Sequence, residues 1–199
     1  MDIGSAVSIL VALIIGGASS LTSRWRGRSS LSVVAVAKTG LGISIGIVAI
    51  TTFYLTREQF LTWRASELSK YFIPPYHTIG YFLLYALGRF WAPYIISLAA
   101  ALLIGIIAWQ GNKRRGGLLF EKEELYFLAT GIFVVGHPAW ILYIVVVLVF
   151  YFLLSTFYFL VSRRIERVSL YYYWLPLAAA TIVLSIFLRH YDWYANFLI

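Results

Sequence analysis

Residues 139–161 read AWILYIVVVLVFYFLLSTFYFLV. The run carries no charged side chain, and its only small polar residues are Ser155 and Thr156. A helix needs about 20 mostly apolar residues to cross the roughly 30 Å hydrocarbon core of a bilayer. A helix that is hydrophobic on every side belongs inside a membrane or deep in a large core. The chain has 199 residues, 61% hydrophobic and 12% charged. Soluble domains average about 45–50% apolar and 25% charged residues. A soluble fold of this length cannot hide so much apolar surface, so the sequence predicts an all-α, polytopic helical membrane bundle.

Further runs appear on both sides of this one. His137-Pro138 breaks the pattern just upstream, and a short apolar run at 125–135 precedes it. Others fall at 4–20, 31–55, 91–109 and 170–188, giving an expectation of about six spans in a single membrane domain over 1–199. No basic stretch precedes the first run, so it reads as a span rather than a cleaved signal. Residues 71–88 are apolar, but Pro74, Pro75 and His77 interrupt them. They are expected to form a surface helix or an extension of the third span.

Basic residues set the expected orientation. Arg24, Arg26, Arg28, Lys113, Arg114, Arg115, Lys122, Arg163, Arg164 and Arg167 fall in alternate loops, ten in all. The opposite loops and the tail hold Arg57, Arg64, Lys70, Arg89 and Arg189, five in all. The positive-inside rule then predicts that the ten face the cytoplasm and that both termini lie outside, in a cell membrane. The net charge of +8 is accounted for by orientation and lipid headgroups. No basic soluble domain exists to bind nucleic acid. Trp63, Tyr71, Trp91, Trp140, Trp174 and Trp193 cluster near span ends, as interfacial aromatics do.

The absence of cysteine removes disulfides, thiolate metal sites and cysteine nucleophiles. One methionine, two asparagines and two glutamines fit the depletion of thermolabile residues reported for heat-adapted proteins, hence a thermophilic, archaeal-like source. No cofactor motif is present: no phosphate loop, nucleophile elbow or His-Glu-x-x-His.

Three constellations can carry chemistry. Glu121, Glu123 and Glu124 stand at the start of the fourth run. There they either complement the positive end of a helix or supply one acid of a water-activating pair. Lys38 lies about seven residues inside the second run, roughly 10 Å at helical rise. It is expected to snorkel to the interface or to pair with Glu123 or Glu124, because an unpaired ammonium in hydrocarbon is costly. His77, His137 and His190 fall on one predicted side, where imidazoles with Asp192 could ligate zinc or copper; otherwise they are interfacial hydrogen-bonding groups.

The layout resembles the type IV prepilin peptidase family, including the archaeal preflagellin peptidases. Glu123-Glu124-Leu125-Tyr126-Phe127-Leu128-Ala129-Thr130-Gly131 is similar to that family's Asp-x-x-Leu-Leu-Ala-x-x-Gly run, with Gly136 near a second family glycine. Pro176-Leu177-Ala178-Ala179 is similar to its Pro-Phe-Leu-Ala stretch. The departures lie at the catalytic positions. Phe120-Glu121-Lys122-Glu123 replaces Gly-x-Gly-Asp, and Ser20 is the nearest match to the first aspartate. The resemblance therefore implies a non-catalytic relative that binds other membrane segments, including type IV filament components. Two alternatives stand beside it: a divergent peptidase using Glu123, and an accessory subunit of a respiratory or transport complex.

Overall fold

The computed structural model describes residues 30–117, 120–163, 170–188, 190 and 191. It is helical throughout, with no strand among the described residues. Six α-helices are numbered in chain order: α1 (Ser30–Ala65), α2 (Ile79–Ala86), α3 (Ala92–Arg114), α4 (Lys122–Val135), α5 (Ala139–Ser162) and α6 (Trp174–Leu188). A single π-turn, Leu87–Trp91, joins α2 to α3 without a break. Residues 79–91 thus extend the third apolar run, while a 3-10 turn, Ser69–Phe72, leads into them.

Among the described residues three helices are long and apolar enough to cross a membrane: Val34–Ala65, Ile79–Arg114 and Ala139–Val161. The first run of the sequence, 4–20, lies outside the described residues. Helix α1 has 36 residues, roughly 54 Å at 1.5 Å per residue, well beyond a bilayer core. Its far end and α2 therefore build a cluster of their own. Phe60 and Trp63 meet Phe82 edge-on at 5.2 and 5.3 Å, Trp63 packs on Tyr85 at 4.9 Å, and Ile73 is buried beneath them. The indole N–H of Trp91 donates to Thr56 Oγ1 at 3.2 Å and ties the two long helices together.

Helix α4 is the axis of the main core and packs against α1, α3, α5 and α6. It has only 14 residues. Because neighbours shield it on every side, its length need not match the lipid. Its side chains at Phe127, Ile132, Phe133 and Val134 are buried. Gly131 receives the ring of Tyr143, since a Cβ there would overlap the ring and hydroxyl. The Tyr143 hydroxyl then donates to the carbonyl of Trp174 at 3.1 Å, so one buried group locks α4, α5 and α6.

Buried hydroxyls find partners within their own helices. Ser44 donates to the Gly40 carbonyl, Ser97 to Pro93, Thr130 to Tyr126 and Thr181 to Leu177, all within 2.7–2.8 Å. This is how polar side chains are tolerated where no water can reach them. Outside the core, α5 exposes Leu148, Phe152, Leu153, Phe157 and Leu160, an apolar surface that soluble monomers rarely present.

Candidate functional site

The first turn of α4 was singled out by sequence, and the structure explains its acids one by one. Glu121 has extended backbone (φ −72°, ψ 155°) and is the N-cap. Its carboxylate accepts the backbone N–H of Glu124, and the Glu124 carboxylate accepts that of Glu121 through Oε2 at 2.9 Å. The reciprocal pair is a capping box, which satisfies donors that a helix start otherwise leaves open. The other carboxylate oxygen of Glu124, Oε1, accepts the backbone N–H of Leu170 at 3.0 Å. Glu124 is only 3% exposed, so its charge is stabilised by aimed N–H dipoles rather than by water. Glu123 is half-buried and makes no hydrogen bond or ion pair with a described residue.

The turn that delivers these acids is also fixed by side chains. Asn112 Nδ2 donates to the Phe120 carbonyl at 2.8 Å, and its Oδ1 accepts the Phe120 N–H at 3.0 Å. The N–H of Gly117 donates to the Asn112 carbonyl at 2.8 Å. Gly116 and Gly117 both take positive φ (66° and 80°), a conformation that glycine adopts without steric cost.

Helix periodicity divides α4 into two working faces. Glu124, Phe127, Leu128 and Gly131 follow i, i+3, i+4, i+7 spacing and face α5 and α6. Phe127 meets Tyr171 edge-on at 5.3 Å. On this side lies a largely apolar cavity of about 350 Å³ lined by Glu124, Leu128, Val147, Leu170 and Trp174. The buried indole N–H of Trp174 has no acceptor among the described residues. Lys122, Leu125, Tyr126 and Ala129 repeat the same spacing on another face, where a second groove of about 450 Å³ opens between α1, α3 and α4.

Lys38 belongs to this second side. Its Nζ stands over the Tyr126 ring, 5.4 Å from the centroid. Helices α1 and α4 are neighbours, but the expected pairing of Lys38 with Glu123 or Glu124 does not form. Glu124 is turned to the α6 side and held there by two backbone donors. The ion pair present among the described residues is Arg57–Glu58 at 3.0 Å.

The histidines are not brought together: among the described residues no three histidine, aspartate or glutamate side chains converge on a metal position. His77 is exposed beside Thr78 and Tyr81. His190 Nδ1 lies 3.2 Å from the Phe187 carbonyl. His137 occupies the turn between α4 and α5, next to Gly136 at φ 78°. Its backbone N–H donates to the Pro93 carbonyl at 3.3 Å, and its Nδ1 accepts the indole N–H of Trp140 at 3.2 Å. Burial lowers its pKa below the ordinary histidine value of 6.5. Ser20 and Asp192 lie outside the described residues.

Sequence reasoning did not find the Glu124–Leu170 clasp, Tyr143 or Asn112. An acid three residues before another acid at a helix start is a variant of the capping-box pattern, and that signal was available. Neither a family model, nor a curated protein, nor a solved structure matches this chain.

Proposed function

We propose that the protein is an integral membrane bundle that binds other membrane segments and does not hydrolyse peptides. In this reading it has the layout of a prepilin peptidase without the catalytic pair, and filament precursors or other membrane subunits are its partners. The observation that carries the proposal is that the acids flanking Glu123, the residue at the family's aspartate position, are committed to backbone N–H groups: Glu121 and Glu124 close a capping box, and Glu124 also holds Leu170. In a two-carboxylate site one acid must hold a proton and the other must activate water. Here the buried acid is spent on two backbone N–H groups, and the second family position is Ser20 rather than an acid.

The same reading takes six crossings. Helices α4 and α6 then cross as short spans of roughly 21–23 Å, α4 enclosed by α1, α3, α5 and α6 and α6 packed on α4 and α5, with the apolar run 4–20 of the sequence counted as the first. Contacts at Asn112–Phe120, Glu124–Leu170 and Phe120–Trp174 gather Lys113, Arg114, Arg115 and Lys122 at one end, which favours a cytoplasmic placement of that end. The cysteine-free chain makes the orientation simple to test. An impermeant thiol reagent applied to intact cells labels Glu67→Cys and leaves Ser29→Cys unlabelled if the orientation holds; the reverse pattern overturns it. Native-membrane purification tests the partner. Recovery of a single-span filament precursor or another membrane subunit in fixed ratio supports the proposal, and recovery of the protein alone after crosslinking in the membrane contradicts it.

A further inference from the structure

The groove between α1, α3 and α4 has the composition of a lipid site. Its apolar walls come from Leu41 on α1, from Leu102 and Ile106 on α3, and from Leu125 on α4. Its volume of about 450 Å³ falls in the roughly 300–1,000 Å³ range of small-ligand pockets. Its charged lining residues are Lys38 and Lys122, with no carboxylate among the residues that form it. Lys122 sits one turn before Tyr126, and the Lys38 ammonium stands over that same ring, so both lysines line the groove near the start of α4. Trp109 lines that end too, with the Lys113 ammonium 5.6 Å from its ring centroid. None of the three glutamates at this helix start lines the groove, and Glu124 lines the cavity on the other side.

We propose that this groove holds one anionic phospholipid, its phosphate between Lys38 and Lys122 and an acyl chain along Leu41, Leu102 and Ile106. The proposal rests on the membrane reading above. Two cations without a carboxylate select an anion, and the apolar walls select an amphiphile over a free ion. Basic pockets between membrane helices recognise lipid headgroups by this combination, and interfacial aromatics such as Trp109 and Tyr126 mark the headgroup level. Gly105 lies on the wall, and a Cβ added there meets no protein atom within 4 Å. A larger side chain at 105 therefore starts into the open space of the groove.

The test is native mass spectrometry of the full chain released from detergent after incubation with short-chain phosphatidylglycerol, with phosphatidylcholine, or with inorganic phosphate. One phosphatidylglycerol per chain, retained in preference to phosphatidylcholine, with no retention of inorganic phosphate, is the expected result. Lys38→Gln with Lys122→Gln should weaken phosphatidylglycerol about twenty-five-fold, at about five-fold per lysine. Gly105→Phe should abolish its binding while leaving the melting temperature unchanged or raised. Equal retention of the two lipids, binding of phosphate alone, or indifference to both the lysine and the Gly105→Phe variants would overturn the proposal. So would a photoreactive residue at position 106 that crosslinks in native membranes to a protein segment rather than to lipid. Failure of the membrane reading looks different: the protein would then be recovered from the aqueous fraction without detergent.

Discussion

Glu124 Oε1 accepts the backbone N–H of Leu170 at 3.0 Å, across 46 residues of sequence. The same carboxylate closes the capping box of its own helix through Oε2. One buried side chain thereby fixes both where α4 begins and where Leu170 sits ahead of α6. Hydrogen bonds to an ionised acceptor contribute about 1.5–3 kcal/mol each. Glu124→Gln keeps one acceptor and loses the charge, so it should destabilise by roughly 1–3 kcal/mol. Glu123→Gln, which breaks no hydrogen bond to a described residue, should stay within about 0.5 kcal/mol. Thermal unfolding in one detergent compares the two, and equal shifts would remove the clasp.

Gly131 and Tyr143 form the second fixed point. A methyl group at 131 has nowhere to go except into the tyrosine ring. Gly131→Ala should therefore cost about 1–3 kcal/mol, as overpacking does, despite alanine's better helix propensity. In a Tyr143→Ala background the same substitution should cost nothing or stabilise. Additive penalties in the double-mutant cycle would place the ring elsewhere.

For Lys38 the coupling should run to Tyr126 rather than to the glutamates. A cation over an aromatic face contributes roughly 0.5–1 kcal/mol where it is exposed. A cycle of Lys38→Met with Tyr126→Leu should show coupling of that size, and a cycle with Glu123→Gln should show none. Coupling to Glu123 would restore the ion pair expected from sequence.

The turn at His137 should make stability depend on pH. Burial lowers its folded pKa below 6.5, and Nδ1 can accept the Trp140 N–H only while unprotonated. The unfolded chain then binds a proton more readily than the folded one, so stability is fully present above pH 6.5 and falls as pH drops through the lowered folded value. His137→Gln should flatten this part of the melting-temperature profile. A wild-type profile that rises on acidification between pH 6.5 and 5 would contradict the assignment.

Much of the fold was legible because long apolar runs permit few structures. Residues 139–161 form α5 within a residue of their expected end, and His137-Pro138 turns the chain as its composition implies. The helix ends were less legible. Apolar content stops at Leu55, yet α1 continues to Ala65, because Phe60 and Trp63 pack on α2 rather than on lipid. The run at 125–135 is short, and its helix, although it begins earlier at Lys122, has only 14 residues and is buried by its neighbours. At the site, the helix-capping role of Glu121 and Glu124 was readable from their position, whereas the bond to Leu170 was not: it joins groups brought close only by packing of α4 against α6. The expected Lys38–glutamate pair failed for a related reason. Which face of α4 a glutamate occupies depends on the helix start, and the cap sets that start.

The most direct test of the central claim, that the acids of α4 serve structure and not hydrolysis, is processing of a type IV prepilin in reconstituted membranes. Wild type and Glu123→Gln should both leave the precursor uncut over the interval in which an active peptidase completes cleavage. Cleavage by the wild type that disappears in Glu123→Gln, with unfolding temperature unchanged, would contradict the account.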